Sequence, residues 1–239
     1  MSKNIAIILA GGIGSRMGSG IPKQFLEINN TPVIVHSIMN FQKHPDFAEI
    51  VVVCVHEWID YLWELVEKYE LFKVTDIVEG GSTVHDSTKN GLYSLKGRID
   101  ENDYVVIHDS ARPVLPTKAI DEMLHVAYEY GNASLAVPCH ETVIYTEDQK
   151  SGIEQLDRSR LMRVQTPQAY KYGFIRKLYE RSDEDGIHDI VYADLVVIHY
   201  GERVYFSKGF TNNVKITKKE DITLVESLMK FSEDQLFSL

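Results

Sequence analysis

The chain has 239 residues, 44% of them hydrophobic, with 25 basic against 35 acidic residues and a formal net charge of −10. That length suits one large α/β domain burying roughly 70 to 75% of its unfolded surface, so neither disulfide nor structural metal is required. An acidic chain without surplus Lys and Arg is no general nucleic-acid binder, and an anionic ligand would have to be met by a local basic cluster.

Cys54 and Cys139 sit inside apolar runs (VVVCV and LAVPC) without CxxC spacing, and are expected as small buried side chains in a reducing compartment. The N-terminal apolar run meets Gly11 and Gly12 too soon for a signal peptide, and no segment is apolar for the length a bilayer demands. A soluble, cytoplasmic protein without membrane insertion is the expectation.

Strand-like runs alternate with helical patterns from the start. The first strand is IAIILA (5–10), followed by a helix over 33–44, the strand EIVVVCV (49–55) and a helix over 59–69. VTDIVEG (74–80), a helix over 87–95, YVVIH (104–108), a helix over 118–131 and SLAVPC (134–139) continue the series. Near-continuous Val/Ile runs mark strands covered on both faces, so the predicted fold is a Rossmann-like, doubly wound, mostly parallel α/β sheet in a single domain. From about 140 to 172 the pattern turns polar and turn-rich, predicting an inserted arm or hairpin. Regular structure then resumes as a helix near 173–181, an apolar stretch at 194–199, a strand over 203–209 and a last helix from Lys219, with a loosely ordered tail from 231.

The residues suited to chemistry follow strand ends. LAGGIGSRMG (9–18) and PKQF (22–25) come directly after the first strand. Gly11, Gly12 and Gly14 allow a tight turn with N–H groups turned to a ligand, while Arg16 and Lys23 add positive charge where open α/β sheets bind ligands. The segment is neither a Walker A loop nor a GxGxxG fingerprint. In GGSTVHDST (80–88), Gly81, Ser82 and Ser87 precede a helix and can meet a base or ribose; Ser87 as a helix cap is the plainer alternative. Asp109, ending the strand in VVIHDSARPVL (105–115), suits Mg²⁺ held against phosphates, or else pairs with Arg112. LDRSRLMRVQTPQAY (156–170) groups Arg158, Arg160 and Arg163, whose guanidiniums match a phosphate, ahead of a turn at Thr166–Pro167. In NNVKITKKEDI (212–222), Lys215 is placed in a short strand and Thr217 to Glu220 resembles a capping box.

In this order, LAGGIGSRMG with PKQ, a GG loop before DS, HDxARP, QTPQ and NxKIT before ED resemble the cytidylyltransferase family that makes CDP-methylerythritol or CDP-ribitol, over nearly the whole chain. The resemblance implies a CTP-dependent nucleotidyltransferase that uses Mg²⁺ and forms a homodimer, with a protruding arm reaching into the other subunit. It implies catalytic roles for Arg16, Lys23 and Lys215, and nucleotide binding by Ala10, Gly11, Gly12, Gly14, Gly81, Ser82, Ser87 and Ser110. Asp109 would hold the metal. Arg112, Thr142, Arg158 and Thr166 would contact a sugar-alcohol phosphate, with Arg158 and Thr166 reaching the partner's site.

The chain departs from the methylerythritol branch around the acceptor, with Val84 for Arg, Ile144 for Lys and Val191–Tyr192 for Thr–Asp. Leu9 with two glycines, the apolar Ile144 and the tryptophan of HEWID (56–60) are similar to the ribitol branch. The expected acceptor is D-ribitol 5-phosphate, its hydroxyls placed against His85, Glu141 or Asp194. The alternatives are 2-C-methyl-D-erythritol 4-phosphate, a nucleotidyltransferase with another base or a hexose 1-phosphate acceptor, and a non-catalytic nucleotide-binding scaffold.

Overall fold

A computed structural model of the chain describes residues 2–12 and 20–238. Strand β1 (Asn4–Ala10) runs into the glycine turn, and PKQF forms a 3-10 turn (Lys23–Phe25). A short ribbon of β2 (Glu27–Ile28) and β3 (Thr31–Pro32) leads to α1 (Val33–Gln42), β4 (Phe47–Cys54), α2 (Ile59–Lys68), β5 (Val74–Glu79), α3 (Val84–Ser94) and β6 (Tyr104–Asp109). After α4 (Thr117–Tyr130) and β7 (Asn132–Pro138) come β8 (Val143–Tyr145), β9 (Glu154–Leu156) and the long strand β10 (Met162–Lys171). The chain ends with α5 (Tyr172–Glu184), α6 (Ala193–His199), β11 (Phe206–Lys208), α7 (Lys219–Leu228) and α8 (Glu233–Ser238).

The seven-stranded sheet has the order β11-β7-β10-β6-β1-β4-β5, and every neighbouring pair is parallel except the two made by β10. Along β1, Ala6, Ile8 and Ala10 enter one buried cluster with α1, α2, α4 and α7, while Ile5 and Ile7 enter another with α3, α5 and α6. Helices on both faces are why β1, β4 and β6 run almost continuously apolar. From β1 the chain moves to β4 and β5, then returns through α3 to β6 on the other side of β1. The register sets Ala10 beside Cys54 and Leu9 beside Asp109, so the strand ends open on one edge, at the switch point.

The second half departs from its sequence pattern. Only the first part of 140–172 is an insertion: β8 and β9 form their own hairpin, but β10 is wedged antiparallel between β6 and β7 in the central sheet. Polar Gln165, Thr166 and Gln168 disguise this strand, being buried on specific hydrogen-bond partners. Its register with β7 shifts between Val164 and Gln168, around Pro167, which has no N–H for the ladder. The apolar stretch at 194–199 is helix α6, and β11 is confined to Phe206–Lys208.

Smaller corrections concern element ends. Helix α3 begins at Val84, because Thr83 and not Ser87 accepts the Asp86 N–H at its start. Lys215 lies outside any strand, and α7 is capped by Asp221, which accepts from the N–H groups of Thr217 and Lys218, in place of Glu220. The tail forms α8, where Leu236 is buried and Glu233 accepts from the Thr117 N–H that opens α4. Cys54 and Cys139 are free and buried, and burial pushes the Cys54 thiol up to about 12. Among the described residues, no helix is long and apolar enough to cross a membrane.

Candidate active site

A cleft of about 620 Å³ opens at the carboxyl edge of β1, β4, β5 and β6. Ala10, Gly11, Gly12, Lys23, Gly81, Ser82, Ser87, Asp109, Ser110 and Lys215 all line it. Gly14 and Arg16 lie outside the described residues.

The loops after β1 and β5 touch. A Cβ on Gly11 would stand 2.9 Å from Ser87 Oγ, and one on Gly81 would stand 2.2 Å from Asp86 Cβ. Packing of the protein itself therefore demands glycine at both positions. Gly12 differs: among the described residues nothing lies within 4 Å of where its Cβ would be. Gly12 therefore relieves no clash with any described residue. Ser87 Oγ accepts from the Gly81 N–H at 3.1 Å and donates to Thr83 O at 2.9 Å, so it serves the loop and leaves capping to Thr83. Gln24 is 1% exposed and donates through Nε2 to Ala10 O at 2.8 Å and Gly12 O at 3.0 Å, fixing two peptide planes of the glycine turn. Its only sequence signal is its place inside PKQ.

Asp109 is the charged centre of the cleft. Its Oδ2 receives Lys215 Nζ at 2.9 Å and Arg112 Nε at 3.2 Å. Burial alone would raise its pKa; the Lys215 and Arg112 charges overcome that and hold the carboxyl at about 2. The pairing of Asp109 with Arg112 is thus present, and among the described residues Oδ1 takes no bond. Arg112 donates onward to Asn213 O at 2.6 Å, Lys23 Nζ donates to Ile216 O at 2.8 Å, and the Ile216 N–H donates to Ala111 O at 2.9 Å. Three bonds therefore stitch the segment carrying Lys215 to the strand ends.

Thr166 lies beneath Asp109 at 2% exposure, so it does not reach a partner's site. Its hydroxyl oxygen lies 3.1 Å from the Asp109 N and 3.3 Å from His108 Nδ1, while His108 Nε2 lies 3.0 Å from Arg112 O. Burial lowers the His108 pKa to about 4, so the ring is neutral. A carbonyl only accepts, which places the ring proton on Nε2. Nδ1 then accepts from the Thr166 hydroxyl, and that hydroxyl accepts from the Asp109 N–H. This relay fixes both ends of the HDSAR turn.

The remaining sequence candidates lie apart. Thr142 is exposed just before β8, and Arg158 is exposed in the 3-10 turn Arg158–Arg160, donating to His140 O at 2.7 Å. Neither lines the cleft of its own chain. Arg112 and Thr166 line a smaller apolar pocket of about 150 Å³, which shares Tyr192 with the cleft. His85 and Asp194 are buried, His85 against Ser182, and Asp194 under donors from Ser134, Gln168 and Tyr170, so neither is free to meet acceptor hydroxyls. Val84 and Val191 do line the cleft, while Ile144 is exposed on β8.

Two glycine turns beside Lys23, Arg112, Asp109 and Lys215 at the switch point suit the binding of a polyphosphate, as in a nucleotidyltransferase. Residues 4–231 match the family described as IspD, 2-C-methyl-D-erythritol 4-phosphate cytidylyltransferase, and the chain belongs to that family. It is 36% identical over 230 residues to a ribitol-5-phosphate cytidylyltransferase of Lacticaseibacillus paracasei, covering 95% of this chain and 98% of the relative. It is also 36% identical over 231 residues to a 2-C-methyl-D-erythritol 4-phosphate cytidylyltransferase of Clostridium novyi, covering 96% of this chain and 98% of the relative. Among solved structures, a 4-diphosphocytidyl-2C-methyl-D-erythritol synthase matches with a TM-score of 0.80 at 27% identity, covering 96% of this chain and 99% of that one. Both acceptor names thus occur at equal identity, and the choice between them falls to the site.

Proposed function

We propose that this chain is a cytoplasmic enzyme that transfers CMP from CTP to D-ribitol 5-phosphate, giving CDP-ribitol and pyrophosphate. The observation that carries this reading is the convergence of Lys23, Lys215, Arg112 and Asp109 beside two glycine turns at the switch point. Val84 and Val191 support the acceptor, because both turn apolar side chains to the cleft where the methylerythritol branch carries Arg and Thr. A site without a hydrogen-bonding group discriminates against a ligand that relies on it.

The reaction is an in-line displacement. An oxygen of the acceptor phosphate forms a bond to the α-phosphorus of CTP, the bond to the bridging oxygen breaks, and pyrophosphate leaves with that electron pair. No side chain is covalently modified. The turns at Gly11–Gly12 and Gly81–Ser82 hold the nucleotide, Arg16 and Lys23 hold the triphosphate, and Lys215 neutralises charge growing on the α-phosphate. Lys215 and Arg112 together keep Asp109 ionised. Mg²⁺ would be held by Asp109, whose ion pairs with Arg112 and Lys215 both fall on Oδ2, and would supply positive charge against the substrate phosphates. Holding two anions together supplies up to roughly 7 to 11 kcal/mol of the barrier.

The exposed hairpin region supports a homodimer in which Thr142 and Arg158 complete the partner's site and grip the acceptor phosphate. Mixing Arg158→Ala chains with Lys23→Ala chains should restore activity, because one composite site is then whole; a fully active monomer at nanomolar concentration contradicts the sharing. Pyrophosphate release with each NTP against both acceptors tests the activity. CTP with ribitol 5-phosphate should lead by at least about tenfold in kcat/KM, or about 1.4 kcal/mol. Equal rates, or a preference for methylerythritol 4-phosphate, overturn the acceptor.

A further inference from the structure

Tyr192 stands on the cleft wall with a fixed backbone. Its carbonyl accepts from the N–H groups of Leu195 at 3.0 Å and Val196 at 3.3 Å, opening α6. The next two residues, Ala193 and Asp194, are each 3% exposed, and Asp194 is locked by Ser134, Gln168 and Tyr170. The phenol is 36% exposed and lines both the cleft and the small pocket beside it. Lys215 Nζ lies 5.5 Å from the ring centroid and 3.5 Å from the hydroxyl, while its stronger bond goes to Asp109 Oδ2 at 2.9 Å. The ammonium therefore sits between the Asp109 carboxylate and the hydroxyl edge of the Tyr192 ring. At 3.5 Å the hydroxyl is barely engaged, which leaves its donor and acceptor capacity for a ligand. Val84 and Val191 also line the cleft and bring apolar side chains to it, whereas the phenol can meet a ligand hydroxyl.

We infer that Tyr192 determines acceptor specificity: its hydroxyl meets a secondary hydroxyl of a linear polyol phosphate, and its ring occupies the space that a branched carbon would need. The inference rests on the acceptor proposed above. A hydroxyl beside Lys215 faces the acceptor carbons nearest the phosphoryl end. In ribitol 5-phosphate, the first two carbons beyond the phosphoryl-bearing one are both unbranched and carry secondary hydroxyls. In methylerythritol 4-phosphate, the second of them is a tertiary alcohol carbon and carries the methyl. Methylerythritol 4-phosphate also carries a hydroxyl at each of these carbons, but its methyl meets the ring before the second hydroxyl can reach the phenol, so the bond rewards the first acceptor and the ring penalises the second.

The experiment measures kcat/KM for both acceptors, with KM for CTP alongside, in wild type, Tyr192→Phe and Tyr192→Thr. Tyr192→Phe keeps the ring and removes one oxygen. It should lower kcat/KM for ribitol 5-phosphate by about tenfold, leave methylerythritol 4-phosphate unchanged and keep KM for CTP within about twofold. Tyr192→Thr should narrow the acceptor ratio further by admitting the branched carbon. An acceptor ratio in Tyr192→Phe equal to that of wild type overturns the inference, whether both rates fall together or neither falls; this variant decides even if Tyr192→Thr does not fold. The wild-type arm alone judges the proposed acceptor: a wild type that prefers methylerythritol 4-phosphate refutes that reading, and the change in ratio still judges Tyr192.

Discussion

Replacing Thr166 by Val removes a hydroxyl from a site that is 2% exposed, at nearly constant volume. Two buried groups lose their partner: the Asp109 N–H, whose N is 3.1 Å from the hydroxyl oxygen, and His108 Nδ1 at 3.3 Å. A stranded buried group costs about 1 to 3 kcal/mol, and since the His108 bond is the longer, the pair should cost about 2 to 4 kcal/mol. For a chain of this length each kcal/mol lowers Tm by about 2 to 4 °C, so the melt should fall by about 4 to 16 °C. Urea unfolding followed by circular dichroism measures the free energy directly, with an unchanged m-value showing that the unfolded state is the same. Thr166→Ser keeps the hydroxyl and should recover at least half of the loss. A cost below about 0.5 kcal/mol for Val, or a Ser variant no better than Val, would refute the relay.

Acid should find the same relay. His108 titrates at about 4 in the fold against an ordinary 6.5, so on acidification the unfolded chain binds a proton that the folded chain refuses. Its contribution is therefore whole above pH 6.5 and about 3 kcal/mol is lost on the way down to about pH 4; His108→Asn should flatten the dependence of the urea midpoint on pH, and parallel curves would clear His108 of it. Gly91→Ala drives a Cβ to 2.7 Å from Ile7 Cγ2 and 2.9 Å from Val53 Cγ2 and should cost about 1 to 3 kcal/mol of stability. Gly12→Ala meets nothing within 4 Å among the described residues and should leave Tm unchanged while raising KM for CTP; fluorimetric melts run beside steady-state kinetics separate the two. Asp109→Ala should keep the fold and remove most Mg²⁺-dependent turnover, whereas Lys215→Ala should lower kcat more than it raises KM for CTP, a pattern that a ground-state binder would reverse.

Strands β1, β4 and β6 were legible because a parallel strand covered on both faces is apolar over most of its length, and β5, at the sheet edge, still shows Val74, Ile77 and Val78. Lys23, Asp109 and Lys215 were legible as charges without a role in a core, beside turns at strand ends. Strand β10 was not. Its Gln165, Thr166 and Gln168 satisfy their polarity on Phe210, His108, Asp109 and Asp194, partners far away in sequence, and a buried polar residue cannot be told from an exposed one until those partners are known. The same holds for His108, whose motif suggests chemistry while its ring serves the backbone. Gln24 was hidden by neighbours with louder signals, and what it binds are carbonyls, to which any sequence is blind. Thr142 and Arg158 could be assigned to a hairpin, yet one chain brings neither to the cleft.

The order of strands in the sheet bears on how the protein is made. Emerging from the ribosome, β1, β4, β5 and β6 can pair as each appears, but β7 arrives before the strand that must separate it from β6. A nascent chain that has not reached residue 162 therefore carries β6 as an open edge, a template for pairing with another chain. The pocket is completed later still, because Lys23 waits for Ile216 and Arg112 for Asn213. Premature termination, or digestion from the carboxyl end, should thus abolish turnover while most of the sheet survives.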